Sequence, residues 1–218
     1  MLKYKANANT KISDKKNPME DSEYCYYQSF GRAIVGLEKA LELRQGRIEC
    51  VYTEDILEYA DIDPDEFDFL FKSPTKLLFD IRKEIHQMMS DAAIVPEGSS
   101  REDRLSFAFR FLQKNCPMVR VLQKVNDHHI WRMSLRKIVA NTATDWPPVN
   151  TPFWEYLYAN FCCQFALILE KWETADFSDD HLKDCVRLAD VWLSAEGMLG
   201  DTVEDLLYDW AEQQEKHV

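Results

Sequence analysis

Ile48–Ser73 reads IECVYTEDILEYADIDPDEFDFLFKS, and its apolar residues recur at helical spacing in two short bursts. Thr53 is placed to cap the first, since a threonine oxygen accepts an orphan N–H of the opening turn. Glu54 and Asp55 fall in that turn, where carboxylates suit the positive end of the helix dipole. Ile56, Leu57 and Ala60 form one apolar stripe. Ile62 lies in a turn, and Asp63-Pro64 restarts a helix with a capping carboxylate followed by Pro at the first helical position. Phe67, Leu70 and Phe71 supply the second stripe. Two short helices joined by a turn of about three or four residues predict a helix-turn-helix.

Around this stretch the chain has 218 residues and is 46% hydrophobic, enough to bury a core. Only six Gly and eight Pro interrupt its long amphipathic stretches, which predicts an all-α protein. The net charge of −12 argues against a general nucleic-acid binder. The polar N-terminus has no apolar leader segment, and no uninterrupted apolar run approaches the ~18 residues of a membrane span. The six cysteines (25, 50, 116, 162, 163 and 185) show no CxxC spacing. They are read as reduced thiols in a cytoplasmic protein.

Residues 1–23 carry Lys3, Lys5, Lys11, Lys15 and Lys16 among polar neighbours and read as a flexible basic tail. Such an arm can reach phosphates or a minor groove, or simply solubilise the terminus. Tyr24–Arg44 is predicted as a first helix, weakened locally by Gly31 and Gly36 and capped by Gly46. Further helices are expected at Thr75–Ser90, from Ser99 or Ser100 to Asn115, Pro117–Asn126 and Ile130–Asn141. Phe153–Trp172 is apolar nearly all round, so it is expected to be buried on several sides. Ser178 is expected to cap another amphipathic helix, and Thr202–His217 a short closing one.

The pattern of Thr53, Ile56, Ala60, Ile62, Phe67, Phe71, Lys72, Ser73 and Leu77 or Leu78 resembles the DNA-binding region of TetR-family bacterial transcriptional regulators. The departures are that the turn Gly is Asp61, the capping Ser is Asp63, the small pair is Asp65-Glu66 and the phosphate-contacting Tyr is Asp68. The resemblance implies a three-helix DNA-binding domain at 24–73 and a larger helical effector and dimerisation domain at 74–218. It implies DNA contacts from Thr53, Asp63, Pro64, Asp65, Asp68 and Lys72. The helix after Pro74 is then the link that swings when ligand binds. A homodimer is expected through the helices at 151–174 and 178–194.

Charge weighs on that reading. From Tyr26 to Lys72 there are five basic residues against eleven acidic ones, a net −6. DNA affinity comes largely from neutralising phosphates and releasing counterions, which carboxylates oppose. One alternative therefore keeps the fold and loses DNA binding, leaving a ligand-binding or protein-interaction module. For an effector, Phe107, Phe111, Met118, Leu122, Trp131, Trp154, Tyr158, Phe161 and Phe165 would suit an apolar small molecule. They read equally well as plain core. No catalytic motif is found, so no enzyme and no cofactor are expected. No metal is expected either, because adjacent His128 and His129 diverge by ~100° on a helix.

Overall fold

The computed structural model describes residues 18–94 and 98–194, with side-chain surroundings from Cys25 onward. Among these residues there are ten α-helices, a single 3₁₀ turn at Ile48–Cys50 and no strand. The chain is all-α. The expected basic tail up to residue 17 and the expected closing helix at 202–217 lie outside the described residues.

Helix α1 spans Pro18–Leu43, so its start precedes the predicted Tyr24, and residues 18–23 belong to a helix rather than a tail. Pro18 suits a first helical position, where its missing N–H is no loss. Helix α1 packs against α2 (Thr53–Ala60), α3 (Pro64–Leu70), α4 (Pro74–Ala92) and α6 (Cys116–Lys124). Gly36 is the point of closest approach to α2: an added Cβ would lie 2.5 Å from the Ile56 carbonyl oxygen and 2.8 Å from Ala60 Cβ. A glycine that sequence alone reads as a weak point thus lets two helices cross. The α1 terminus closes as expected on Gly46, whose N–H donates to Leu41 O at 2.9 Å with φ +76°.

The remaining helices are α5 (Arg101–Lys114), α7 (His128–Ser134), α8 (Arg136–Thr142), α9 (Pro152–Thr174) and α10 (Asp179–Leu193). The single helix expected at 130–141 is bent at Leu135 into α7 and α8. The backbone bonds Leu135 N–H to Trp131 O and Val139 N–H to Leu135 O persist across the bend. Ser100 caps α5 and receives a reciprocal bond from Asp103, whose carboxylate accepts from the Ser100 N–H at 3.1 Å. Helix α9 is the central strut, burying Trp154, Leu157, Tyr158, Phe161, Cys162, Phe165, Leu169 and Trp172. Its junction with α10 turns through two left-handed residues, Asp176 and Phe177. Trp172 Nε1 donates across it to Ser178 O at 2.9 Å, and Phe177 packs edge-on against the Trp172 ring. One apolar cluster runs without interruption from Phe30 in α1 to Leu193 in α10. No described helix is long and apolar enough to cross a membrane.

Candidate functional site

Helices α2 and α3 meet through Asp61–Asp63. Asp61 takes the left-handed φ of +47° that ends α2, a conformation Asp tolerates better than most residues. Asp63 Oδ1 accepts from the N–H groups of Asp65 (2.9 Å) and Glu66 (3.4 Å), and Pro64 follows at the first helical position. Thr53 is not the cap of α2. Tyr52 holds that position, and its N–H donates to the Asp55 carboxylate at 2.9 Å. Thr53 is already the first helical residue, one position too late for its hydroxyl to act as the N-cap acceptor.

Much of the acidic charge in this region braces the fold. The Asp55 carboxylate receives Arg44 Nη2 at 2.7 Å and Arg44 Nε at 3.3 Å, which ties α2 to the end of α1. Arg44 first, and the Tyr52 N–H second, hold the Asp55 carboxyl below the usual carboxylate range. The buried Ser29 hydroxyl donates to Glu66 and so turns that side chain back onto α1. Arg32 donates to the Asp61 carbonyl at 3.1 Å. Phe71 is buried against Phe30 and Tyr26 of α1, and buried Phe67 packs edge-on against Phe71.

The outer face is formed by Pro64, Asp65, Asp68, Phe69 and Lys72, all exposed, with Phe69 81% open. Lys72 ends α3 at φ +62°, and the Ser73 hydroxyl then caps α4 by accepting from the Lys76 N–H at 3.2 Å. Of the six residues to which the resemblance assigns DNA contact, Asp63, Pro64, Asp65, Asp68 and Lys72 are exposed, and Thr53 is partly buried.

A second surface lies on the outside of α9 and α10. Leu167, Leu188 and Val191 are each about half exposed. A groove of about 300 Å³ runs between the two helices, lined by Leu167, Trp172, Leu188 and Trp192, with Lys171 and Asp184 at its edge. Cys162 and Cys163 differ in surroundings: burial pushes the Cys162 thiol up to about 12, while Cys163 is exposed.

The aromatic residues offered for an effector cavity are densely packed. Trp131, Trp154, Tyr158, Phe161 and Phe165 are all buried. Phe165 lies 5.3 Å from Phe109, 5.8 Å from Trp131 and 6.0 Å from Phe161, and Trp154 stacks on Tyr158 at 4.8 Å. Tyr158 donates its hydroxyl to the Arg132 carbonyl. Leu122 is buried, Phe111 is partly so, and Phe107 is 50% exposed, where an inward position was expected. Met118 alone of this group lines a second groove, of about 290 Å³, between α1, α4 and α6. Sequence reading missed that groove; its one signal was Gly31, where no atom lies within 4 Å of an added Cβ.

Asp127, beside His128 and His129, caps α7 by accepting from the Ile130 N–H and pairs with Arg82 of α4. No group of metal-ligating side chains occurs among the described residues. No family model, curated protein or solved structure matches the chain.

Proposed function

We propose that this chain is a TetR-like transcriptional regulator that binds operator DNA as a homodimer and responds to a small apolar effector. The observation that carries the reading is the α2–turn–α3 unit, which has the layout of a helix-turn-helix. It is braced on α1 by Arg44–Asp55 and Ser29–Glu66 and runs directly into α4 through the Ser73 cap. In such a protein α3 is the reading helix, Lys72 a phosphate contact, and α4 the link to the effector-binding body. The half-exposed Leu167, Leu188 and Val191 on α9 and α10 supply an apolar surface for a second copy. An effector acts by binding one arrangement of the two reading heads better than the other.

A second reading draws on one specific observation. Asp65 and Asp68 flank an almost fully exposed Phe69 on the outer face of α3. That combination repels phosphate and suits a protein partner, so the same scaffold would serve as an interaction module that has lost DNA binding. Selection of genomic fragments by the purified protein separates the two. Recovery of the same few fragments in replicate, protected as a two-fold footprint, supports the regulator. Recovery of random fragments only refutes it.

A further inference from the structure

We propose that the groove between α1, α4 and α6 binds a hydrophobic organic cation, an amine or quaternary ammonium carrying apolar groups. The inference rests on the effector-responsive reading and gives the effector a place and a charge. The groove floor is apolar, made by Phe30, Ile34, Met88 and Met118. Its volume of about 290 Å³ is near the lower end of the ~300–1,000 Å³ typical of small-molecule sites.

The charge of the ligand follows from one wall. Glu84 of α4 lines the groove, is partly buried, and forms no ion pair with another described residue. Asp80, one turn earlier, is already paired with Lys76. Tyr27 lines the same groove, its ring 5.6 Å from that of Tyr26, which in turn stacks on Phe30 at 5.7 Å. A carboxylate and aromatic rings lining one groove attract a cation through charge and, where a ring presents its face, through the ring quadrupole. Burial, and then the nearby carboxylates Asp80 and Glu84, hold the Tyr26 phenol above its ordinary value, consistent with a negative field there. Lys114, also on the groove wall, is exposed where Glu84 is partly buried, so Glu84 is the less solvent-screened charge and the cationic head belongs there, with the apolar body over the methionines.

The position has a consequence for regulation. The walls come from α1, which supports the α2–α3 unit, from α4, and from α6, whose Lys124 pairs with Glu42 of α1 at 3.2 Å. A molecule held among these helices favours the arrangement in which they lie together as they do in this structure.

Isothermal titration calorimetry with tetraphenylphosphonium and its near-isosteric anion tetraphenylborate tests the site without any DNA present. The cation is expected to bind and the anion to bind at least about tenfold more weakly, since one buried charge contact is worth about that ratio. Glu84→Gln should weaken the cation by a similar factor. Gly31→Leu should abolish binding by filling the groove from α1, and it has open space to do so without unfolding the protein. Circular dichroism and a melting curve establish that both variants fold. Equal binding of the two ions, no binding of the cation, or cation binding unchanged in folded Gly31→Leu overturns the proposal. Because no outcome involves DNA, failure of the groove and failure of the regulator reading are distinguished.

Discussion

Replacing Gly36 by alanine reverses the usual sign of a helix substitution. In an exposed helix interior, Gly→Ala stabilises by about 0.8–1 kcal/mol, because glycine has more backbone freedom to lose. At Gly36 the new methyl carbon would sit 2.5 Å from Ile56 O, 2.8 Å from Ala60 Cβ and 2.9 Å from Ile56 Cγ2. Two of these atoms are the backbone oxygen of α2 and a Cβ fixed to it, so no side-chain rotation relieves the clash. Overpacking of this kind costs about 1–3 kcal/mol, and more where backbone must move. Because backbone must move, the upper part of that range applies, about 2–3 kcal/mol, and against a propensity gain of about 1 kcal/mol it leaves Gly36→Ala less stable by about 1–2 kcal/mol. For a chain of this size that lowers Tm by about 2–8 °C. Gly31, five residues earlier in the same helix, is the internal control: nothing lies within 4 Å of its added Cβ. Gly31→Ala should gain about 0.5–1 kcal/mol and raise Tm by a few degrees. Urea unfolding followed by circular dichroism reads both. A Gly36→Ala protein as stable as the parent, or more so, would refute the close crossing of α1 and α2.

Gly46→Ala should destabilise by about 2 kcal/mol or more in the same assay, because φ +76° disfavours a side chain and the added carbon would fall almost on the Lys124 carbonyl oxygen. The Asp55 carboxyl is held below its unfolded value, so its contribution is complete above the ordinary carboxylate range and is lost as pH falls through the folded value. Asp55→Asn should therefore lower Tm at pH 7 and flatten the loss of Tm between pH ~5 and ~2. Native labelling with a thiol reagent at pH 8 should modify exposed Cys25 and Cys163 first. Cys162 and Cys185 should stay unreacted until unfolding, because burial pushes their thiols up to about 12 and about 11. A fast-reacting Cys162 would contradict the packing of α9.

The capping residues made much of this fold legible. Asp63-Pro64 and Ser100 mark helix starts because an oxygen acceptor before a first turn has few other reasons to recur, whereas Ser178 stands at the cap position of α10 with its hydroxyl on His181 Nδ1 and not on a first-turn N–H. Tyr52 was missed as a cap because the carboxylate that does the work, Asp55, lies inside the helix. Gly36 was misread because a local propensity cannot report a neighbour that is close only in three dimensions. The bend at Leu135 carries no Gly or Pro and no sequence signal. Helical spacing also could not separate cavity from core: Trp131, Phe161 and Phe165 pack on one another, whereas the groove at Gly31 is marked by a residue that has no side chain. The acidity of α3 was plain from composition. That Glu66 turns onto Ser29 while Asp65 and Asp68 face outward was not, since it depends on where α1 lies.

The most direct test of the regulator reading is fluorescence anisotropy with DNA flanking the protein's own gene, titrated with salt beside a scrambled duplex of equal length. The account predicts selective binding in the nanomolar range at about 0.15 M salt. It also predicts a shallow salt dependence, because few free cations face the DNA from α3. Absence of binding to either duplex at about 0.05 M salt, where phosphate contacts are strongest, would contradict it.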